Sequence, residues 1–530
     1  MRNVLVCSLS LAMLVAAPVA RAHEDGEAQG KVPEKLGTVA FENSCAPSAQ
    51  QSFQRGVALL HSFWFIEGEK AFRDALNHDP GCAIATWGIA SVLIGNTFSV
   101  GPTPTEAQRA QEAIAQGRAI GAKTERERDY IEAVAAYYDH FAEQQNSARI
   151  RSLSDAFEAL AQRYPDDETQ TFDALYLTAS QSLADKTYER ALKAAPILEA
   201  QFARHPNHPG VAHYLIHTYD FPPLAQKGLP AALCYADIAP DAYHALHMPS
   251  HIFTRVGAWK ESIATNQRSI VSAKAEQVTG AELHAMDYMA YAELQLGRDA
   301  DAGAVVTDAS ALSSPELASI YARAAIPARY VVERDQWAAA AALPDPAETK
   351  FPYTEAMTLF ARAVGAARSG NPAAAEKDVT RLAAIAEALK AAKNNYWATE
   401  VEVQRLGAAA WVAFAQSKRD EALGLMRSAA DMEGASEKAA VSPGRILPAR
   451  ELLGDMLRES GRPVDALAAY ETSLVNDPKR FRGLYGAGMA AVAAGNADKA
   501  KDYFGRVVEM TDAASTRPEL VKAREYLAAK

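Results

Sequence analysis

The chain lacks the signatures of the commonest enzyme classes. Its 530 residues include only four cysteines, Cys7, Cys45, Cys82 and Cys234, and these form neither a CxxC pair nor any other cysteine-based metal spacing. No GxSxG elbow, HExxH helix, GxxxxGK[ST] loop or GxGxxG after a strand is present, which removes elbow-type serine hydrolases, zincins and both nucleotide-binding and dinucleotide-binding proteins, so no nucleotide cofactor is expected. Basic tracts are missing too. Lys and Arg number 54 against 65 Asp and Glu, and a formal charge of −11 argues against nucleic acid or anionic membrane as partner. Past the N-terminus no stretch reaches about 18 uncharged apolar residues, so no membrane span is expected. After about residue 40 there is no Gly/Ser-rich or Pro-rich linker. A continuous structure fits that better than separate domains on a string.

Turning to what is there, Arg2 precedes an apolar run from Val4 to Ala17, then Pro18 and the triplet Ala20-Arg21-Ala22. This reads as a secretory signal over 1–22, cut after Ala22, with a periplasmic or secreted product. Cys7 leaves with the signal. So do Arg2 and Arg21 but no acidic residue, which takes the charge from −11 to −13. In an oxidising compartment Cys45 and Cys82 are placed to close a disulfide tying the N-terminal segment to the first helical pair; the alternative is three buried thiols, with Cys234 as the third. Residues 23–40 are polar and rich in Gly, Glu and Lys, and read as a flexible leader. Cleavage would leave His23 first, with an amine and an imidazole that could chelate copper.

Almost no segment alternates apolar and polar residues, and Ala and Leu outnumber Val and Ile, so the fold class is all-α. In the C-terminal part a pattern returns after 34 positions: Gly454, Gly461, Ala466 and Tyr470 recur as Gly488, Gly495, Ala500 and Phe504. Small residues let two helices of a hairpin approach, the aromatic fills the gap between hairpins, and Asp477-Pro478 stops the second helix. This resembles the tetratricopeptide repeat. Gly68, Phe72, Ala75 and Asp79-Pro80 give another copy, continued by Trp87-Gly88. The resemblance implies an α-solenoid of helical hairpins coiled into a right-handed superhelix with a concave groove. Its divisions are N-terminal repeats over 41–204, histidine-bearing repeats over 205–312, degenerate repeats over 313–432 and regular repeats over 433–530.

Eight of the twelve histidines fall between His205 and His284. His213 and His217 lie four residues apart, as do His247 and His251, so each pair stacks on one helix face. The pairs are themselves 34 residues apart, at equivalent places in consecutive repeats. A displacement of 40 carries His244 to His284, His247 to Asp287 and Gly257 to Gly297, implying six extra linker residues around Ala275–Gly280. By the resemblance to the tetratricopeptide repeat, these positions line the groove. His213, His217, His244, His247, His251, His284, Asp287 and Tyr291 would then face one cavity across three helices, with Asp220 at its edge. Pro249, between His247 and His251, should kink or restart a helix running from about Asp241 to Val256.

Packed helices lie roughly 8 to 10 Å apart, so imidazoles from neighbours can meet at one ion about 2.0 to 2.1 Å from each nitrogen. Several imidazoles with one carboxylate suit copper, zinc or iron and suit calcium or magnesium badly. Either one ion with an open position fits, or two ions sharing Asp287. The expected ligands are His213, His217, His247, His251, His284 and Asp287, with Tyr214 or Tyr291 as proton donor; oxidation and metal-assisted hydrolysis are both open. Ordinary polar contacts along a groove are the competing account. His61 reads as a capping or core residue, His78 as a helix-terminal cation, His140 as a solvated residue, and His205 and His208 as peripheral. The segments Ala245–Arg255 and His208–His217 also resemble a group of bacterial exported repeat proteins, a likeness that runs from around Cys45 to the last repeats and leaves the activity open. The second functional reading is a metal-free scaffold whose groove binds a periplasmic peptide or protein.

Overall fold

The computed structural model describes residues 34–529, and the signal segment and most of the leader, His23 included, lie outside the described residues. Among the described residues all regular structure is helical, with successive helices packed against each other as hairpins and no helix long and apolar enough to cross a membrane. This is a solenoid of tetratricopeptide-type hairpins. Prolines set many of the starts: Pro47, Pro209, Pro352, Pro372, Pro463 and Pro518 all open helices, where a missing N–H costs nothing.

The repeat glycines have a steric cause. A Cβ on Gly454 would stand 2.7 Å from the Tyr470 ring, and one on Gly488 would stand 2.6 Å from the Phe504 ring. The same arrangement recurs at the other end of the chain, where a Cβ on Gly88 would run into the Phe72 ring. Each aromatic therefore fills a hollow that only a residue without a side chain leaves open.

Cys45 and Cys82 are bonded to each other, joining the segment before helix Pro47–His61 to the turn after helix Phe65–His78. Residues 34–40 depart from the flexible leader read from their polarity. Leu36 is buried, the Thr38 amide donates to the Asn207 carbonyl at 2.9 Å, and the Lys35 amide donates to Asp241 at 2.7 Å. One apolar side chain and backbone hydrogen bonds anchor this stretch against the histidine-bearing repeats.

Two further differences concern the same repeats. The six extra residues form no long linker: the second helix of that repeat extends as Trp259–Ala275, and Thr279–Gln295 begins after only three residues. At Pro249 the helix restarts as expected, as Tyr243–His247 and Pro249–Val256, with Met248 between them in helical dihedrals.

The C-terminal repeats turn back onto the histidine-bearing ones. Arg480 is fully buried, donating to Glu451 and Glu333 at 2.7 Å each and to the Tyr291 hydroxyl at 2.7 Å. The Trp259 indole donates to the Lys479 carbonyl at 3.0 Å. Between helices Arg419–Gly434 and Ala449–Glu459 the irregular segment 435–448 threads through the interior: the Glu437 amide donates to the Leu183 carbonyl, Lys438 to Asp220, and Arg329 to the carbonyls of Gly444 and Arg445. The chain thus fills part of its own groove.

Candidate metal centre

The histidines sort into two triads built alike. Helix Pro209–Tyr219 supplies His213 and His217, and His244 joins them from helix Tyr243–His247. One repeat later His247 and His251 flank the Pro249 restart, and His284 joins from helix Thr279–Gln295. Within each triad one ligand atom per histidine lies within 4.8 Å of the other two. Every member of one triad has its repeat equivalent in the other, at displacements of 34 residues for the pair and 40 for the third histidine.

Hydrogen bonds fix the tautomers of the second triad. Asn266 donates its Nδ2 to the Ser262 carbonyl at 2.7 Å, which turns its Oδ1 toward His247. His247 Nδ1 donates to that oxygen at 2.7 Å, and His251 Nδ1 donates to Asp220 Oδ2 at 3.0 Å. Both protons of the neutral rings are then on Nδ1, and both Nε2 atoms carry lone pairs. Those two Nε2 atoms face each other 3.1 Å apart. Two lone pairs at that distance repel unless a proton or another cation lies between them. Two nitrogens on one tetrahedral ion stand about 3.4 Å apart, so the spacing suits a shared metal.

A proton is a poor occupant of that gap. Burial first, and then the neighbouring imidazoles, push His247, His284, His213, His217 and His244 well below the ordinary histidine value. Burial also lowers His251, against the opposing pull of Asp220. Asp220 itself stays ionised: burial works against its charge, but Lys438 and Arg255 beside it hold it well below the carboxylate range. Arg255 donates to Asp220 Oδ1 at 2.8 Å and Lys438 to Oδ2 at 3.2 Å.

The first triad is walled by aromatic rings. His213 Nδ1 donates to the His61 carbonyl at 2.7 Å, leaving its Nε2 3.2 Å from His244 Nε2. His217 Nε2 is buried without a hydrogen-bond partner. Phe98 stacks on His217 at 3.8 Å, and Phe63 packs on His213 at 4.4 Å. Phe63 takes a left-handed backbone, φ 53°, at the turn between the first two helices, a strained placement that puts its ring against the histidines.

A third group, His61, Glu168 and His208, has a carboxylate in place of one imidazole and different chemistry. His61 Nε2 and His208 Nε2 reach Glu168 at 3.0 and 3.1 Å; the Tyr214 hydroxyl meets His61 Nδ1 at 2.8 Å, and the Val211 amide donates to His208 Nδ1. Every ring nitrogen here has a complementary partner, so this is a closed hydrogen-bond network. His208 is therefore buried in it and caps helix Pro209–Tyr219, where its sequence setting read as peripheral. His205 does stay on the surface, beside Asp167.

The structure reassigns several other residues singled out in the sequence. Asp287 is not in either triad: it is fully buried with Arg329 Nε 3.6 Å away, and burial pushes its carboxyl up to about 6 against the pull of that arginine. Tyr291, a turn further on, meets Arg480 rather than the histidines. Tyr214 is engaged with His61. Asp220 lies close in, as the partner of His251.

Sequence reasoning passed over Tyr288, Asn266, Lys438, Phe63 and Phe98. The Tyr288 ring lies 4.8 Å from His247 and 4.9 Å from His251, and its hydroxyl donates toward the carbonyls of Ala440 and Ser442 at 2.9 and 3.0 Å. It follows His284 by four residues, so the helical spacing that paired the other histidines would have found it.

No protein-family model matches the chain, and no curated protein is similar to it in sequence. The solved structures similar to it include tetratricopeptide-repeat proteins. One is a repeat protein from Parabacteroides merdae, 11% identical, with a TM-score of 0.23, covering 75% of this chain and 99% of that one. The P58(IPK) repeat domain is 12% identical with a TM-score of 0.20, covering 91% and 98%. The Cut9–Hcn1 assembly of the APC/C is 11% identical with a TM-score of 0.28, covering 92% and 96%. These similarities say nothing about the histidines.

Proposed function

We propose that this solenoid is an exported transition-metal-binding protein, with His247, His251 and His284 as one ligand set and His213, His217 and His244 as the other. The observation that carries the reading is the pair of Nε2 atoms of His247 and His251, 3.1 Å apart with both Nδ1 protons committed elsewhere. Neutral imidazoles suit copper, zinc or iron. Asn266 and Asp220 orient the rings, as hydrogen-bond partners of ligating histidines do. Three protein ligands leave a coordination position for a substrate or water, which permits oxidation or metal-assisted hydrolysis. His244 and His284 are the partly exposed members of their triads and give ions a way in.

The test is elemental analysis of protein purified from the extracytoplasmic fraction without chelators or a histidine tag. Stoichiometric copper, zinc or iron, lost in a His247→Ala, His251→Ala double variant of unchanged helicity, supports the reading. Metal content equal in parent and variant overturns it. Export is tested on the same sample, since N-terminal sequencing should begin at His23.

Partner binding, the second reading, fits the outer surface better than the groove, because segment 435–448 occupies the interior. Helix Pro463–Asn476 exposes Val464 and Val475, 68% and 76% accessible and three turns apart on one face.

A further inference from the structure

Resting on the metal reading, we propose that the two triads form one dinuclear centre and that its resident ions are two copper(I). The rings are contiguous. His217 faces His251 across the triads with centroids 5.7 Å apart, and His244 faces His247 at 6.2 Å, distances hardly longer than those inside a triad, such as 4.9 Å between His213 and His217. Ions seated in the two sets would lie close enough for one small bridging ligand to join them.

The donor set selects a low ionic charge. Each ion meets three neutral imidazoles and no carboxylate, since Asp287 sits with Arg329 and Asp220 is shared among Arg255, Lys438 and the far side of His251. Lys438 and Arg255 lie nearby, their charges offset by the carboxylates of Asp220 and Glu437, neither of which belongs to a triad. Two divalent ions in that setting repel each other four times as strongly as two monovalent ones, with no anionic ligand to offset it.

The walls agree with this choice. Phe98 and Phe63 lie against the first triad, and Phe63 also stacks on His244 at 5.3 Å, where zinc(II) or iron(II) would keep water or an anion. Copper(I) is content with two or three imidazoles and no further ligand, so an apolar wall costs it nothing. A trigonal site against that apolar wall is therefore more favourable for copper(I) than for the divalent alternatives.

The experiment starts from the full mature chain stripped of metal. Copper(I) is added anaerobically in competition with a chromophoric copper(I) chelator, and the bound ions are then oxidised with ferricyanide. Each copper(I) gives one electron to one ferricyanide, which becomes ferrocyanide, so two equivalents should be consumed per chain. The expected result is two coppers per chain and, after oxidation, a dipolar-broadened EPR spectrum with a half-field transition. His217→Ala should lower the stoichiometry to one copper and abolish the half-field signal; the wild-type readings stand without that variant. One copper per chain, or two with the spectrum of isolated ions, overturns the dinuclear centre while leaving metal binding intact. Copper(I) surrendered to the chelator, while a parallel titration of the stripped chain takes up two zinc(II), overturns the choice of metal. No metal bound at all overturns the underlying reading as well.

Discussion

Asp220, at the end of one histidine-bearing helix, accepts a hydrogen bond from Nδ1 of His251 in the next repeat, at 3.0 Å. The carboxylate ties adjacent repeats together, and it decides which nitrogen of His251 points into the cavity. Asn266 does the same for His247. The orientation of both rings thus depends on side chains outside the triad.

Asn266→Ala should leave the fold intact and weaken metal retention by about 10- to 100-fold, the usual cost of losing a partner that orients a ligating histidine. Chelator competition on parent and variant checks it. Unchanged affinity would mean that His247 is not held as a ligand.

The hairpin hollows predict opposite signs for two glycine substitutions on neighbouring helices. Gly488→Ala forces a Cβ to 2.6 Å from the Phe504 ring and should destabilise by about 1 to 3 kcal/mol. Gly505→Ala, within helix Ala497–Met510 and with nothing within 4 Å, should stabilise by about 0.5 to 1 kcal/mol. Urea melts of the two variants compare them directly, and equal shifts would contradict the packing account.

Asp173 provides a pH test remote from the triads. Burial, with Glu158 adding to it and Lys193 and Arg190 opposing, pushes its carboxyl from 3.8 up to about 7. The folded state therefore holds a proton that the unfolded state releases. Its contribution to stability is complete below pH 3.8 and is lost as pH rises through 7. Asp173→Asn should gain stability over the parent at pH 8, on the order of 4 kcal/mol, and the gain should vanish near pH 4. A gain of the same size at both pH values would refute the assignment.

Tyr288→Phe should loosen segment 435–448, because it removes the hydroxyl shared between the Ala440 and Ser442 carbonyls at a cost of about 1 kcal/mol. Limited proteolysis should then cut faster within that segment than in the parent, with little change elsewhere.

How far the sequence foretold this arrangement follows from the range of the interactions. Residues four apart on a helix and 34 apart in a repeat obey local geometry, so the pairs His213/His217 and His247/His251 and the repeat-bearing ends were legible. Treating the eight groove residues as a single set failed at Asp287, whose charge partner, Arg329, comes 42 residues later. Tyr291 was misplaced because Arg480, 189 residues away, draws it toward the last repeats. Nothing in the irregular stretch 435–448 signals that it fills the interior, since its contacts run to Leu183, Asp220, Tyr288 and Arg329. Leu36 shows the same limit on a small scale, a single apolar residue in a polar stretch that is enough to dock it.

The most direct test is an anomalous-difference map from crystals of metal-replete protein, collected above and below the absorption edge of the metal found by elemental analysis. The account predicts peaks about 2.0 to 2.2 Å from Nε2 of His247 and His251, with a neighbour beside His213, His217 and His244. A map with its only peak at His61, Glu168 and His208, or with none at either triad, would contradict it.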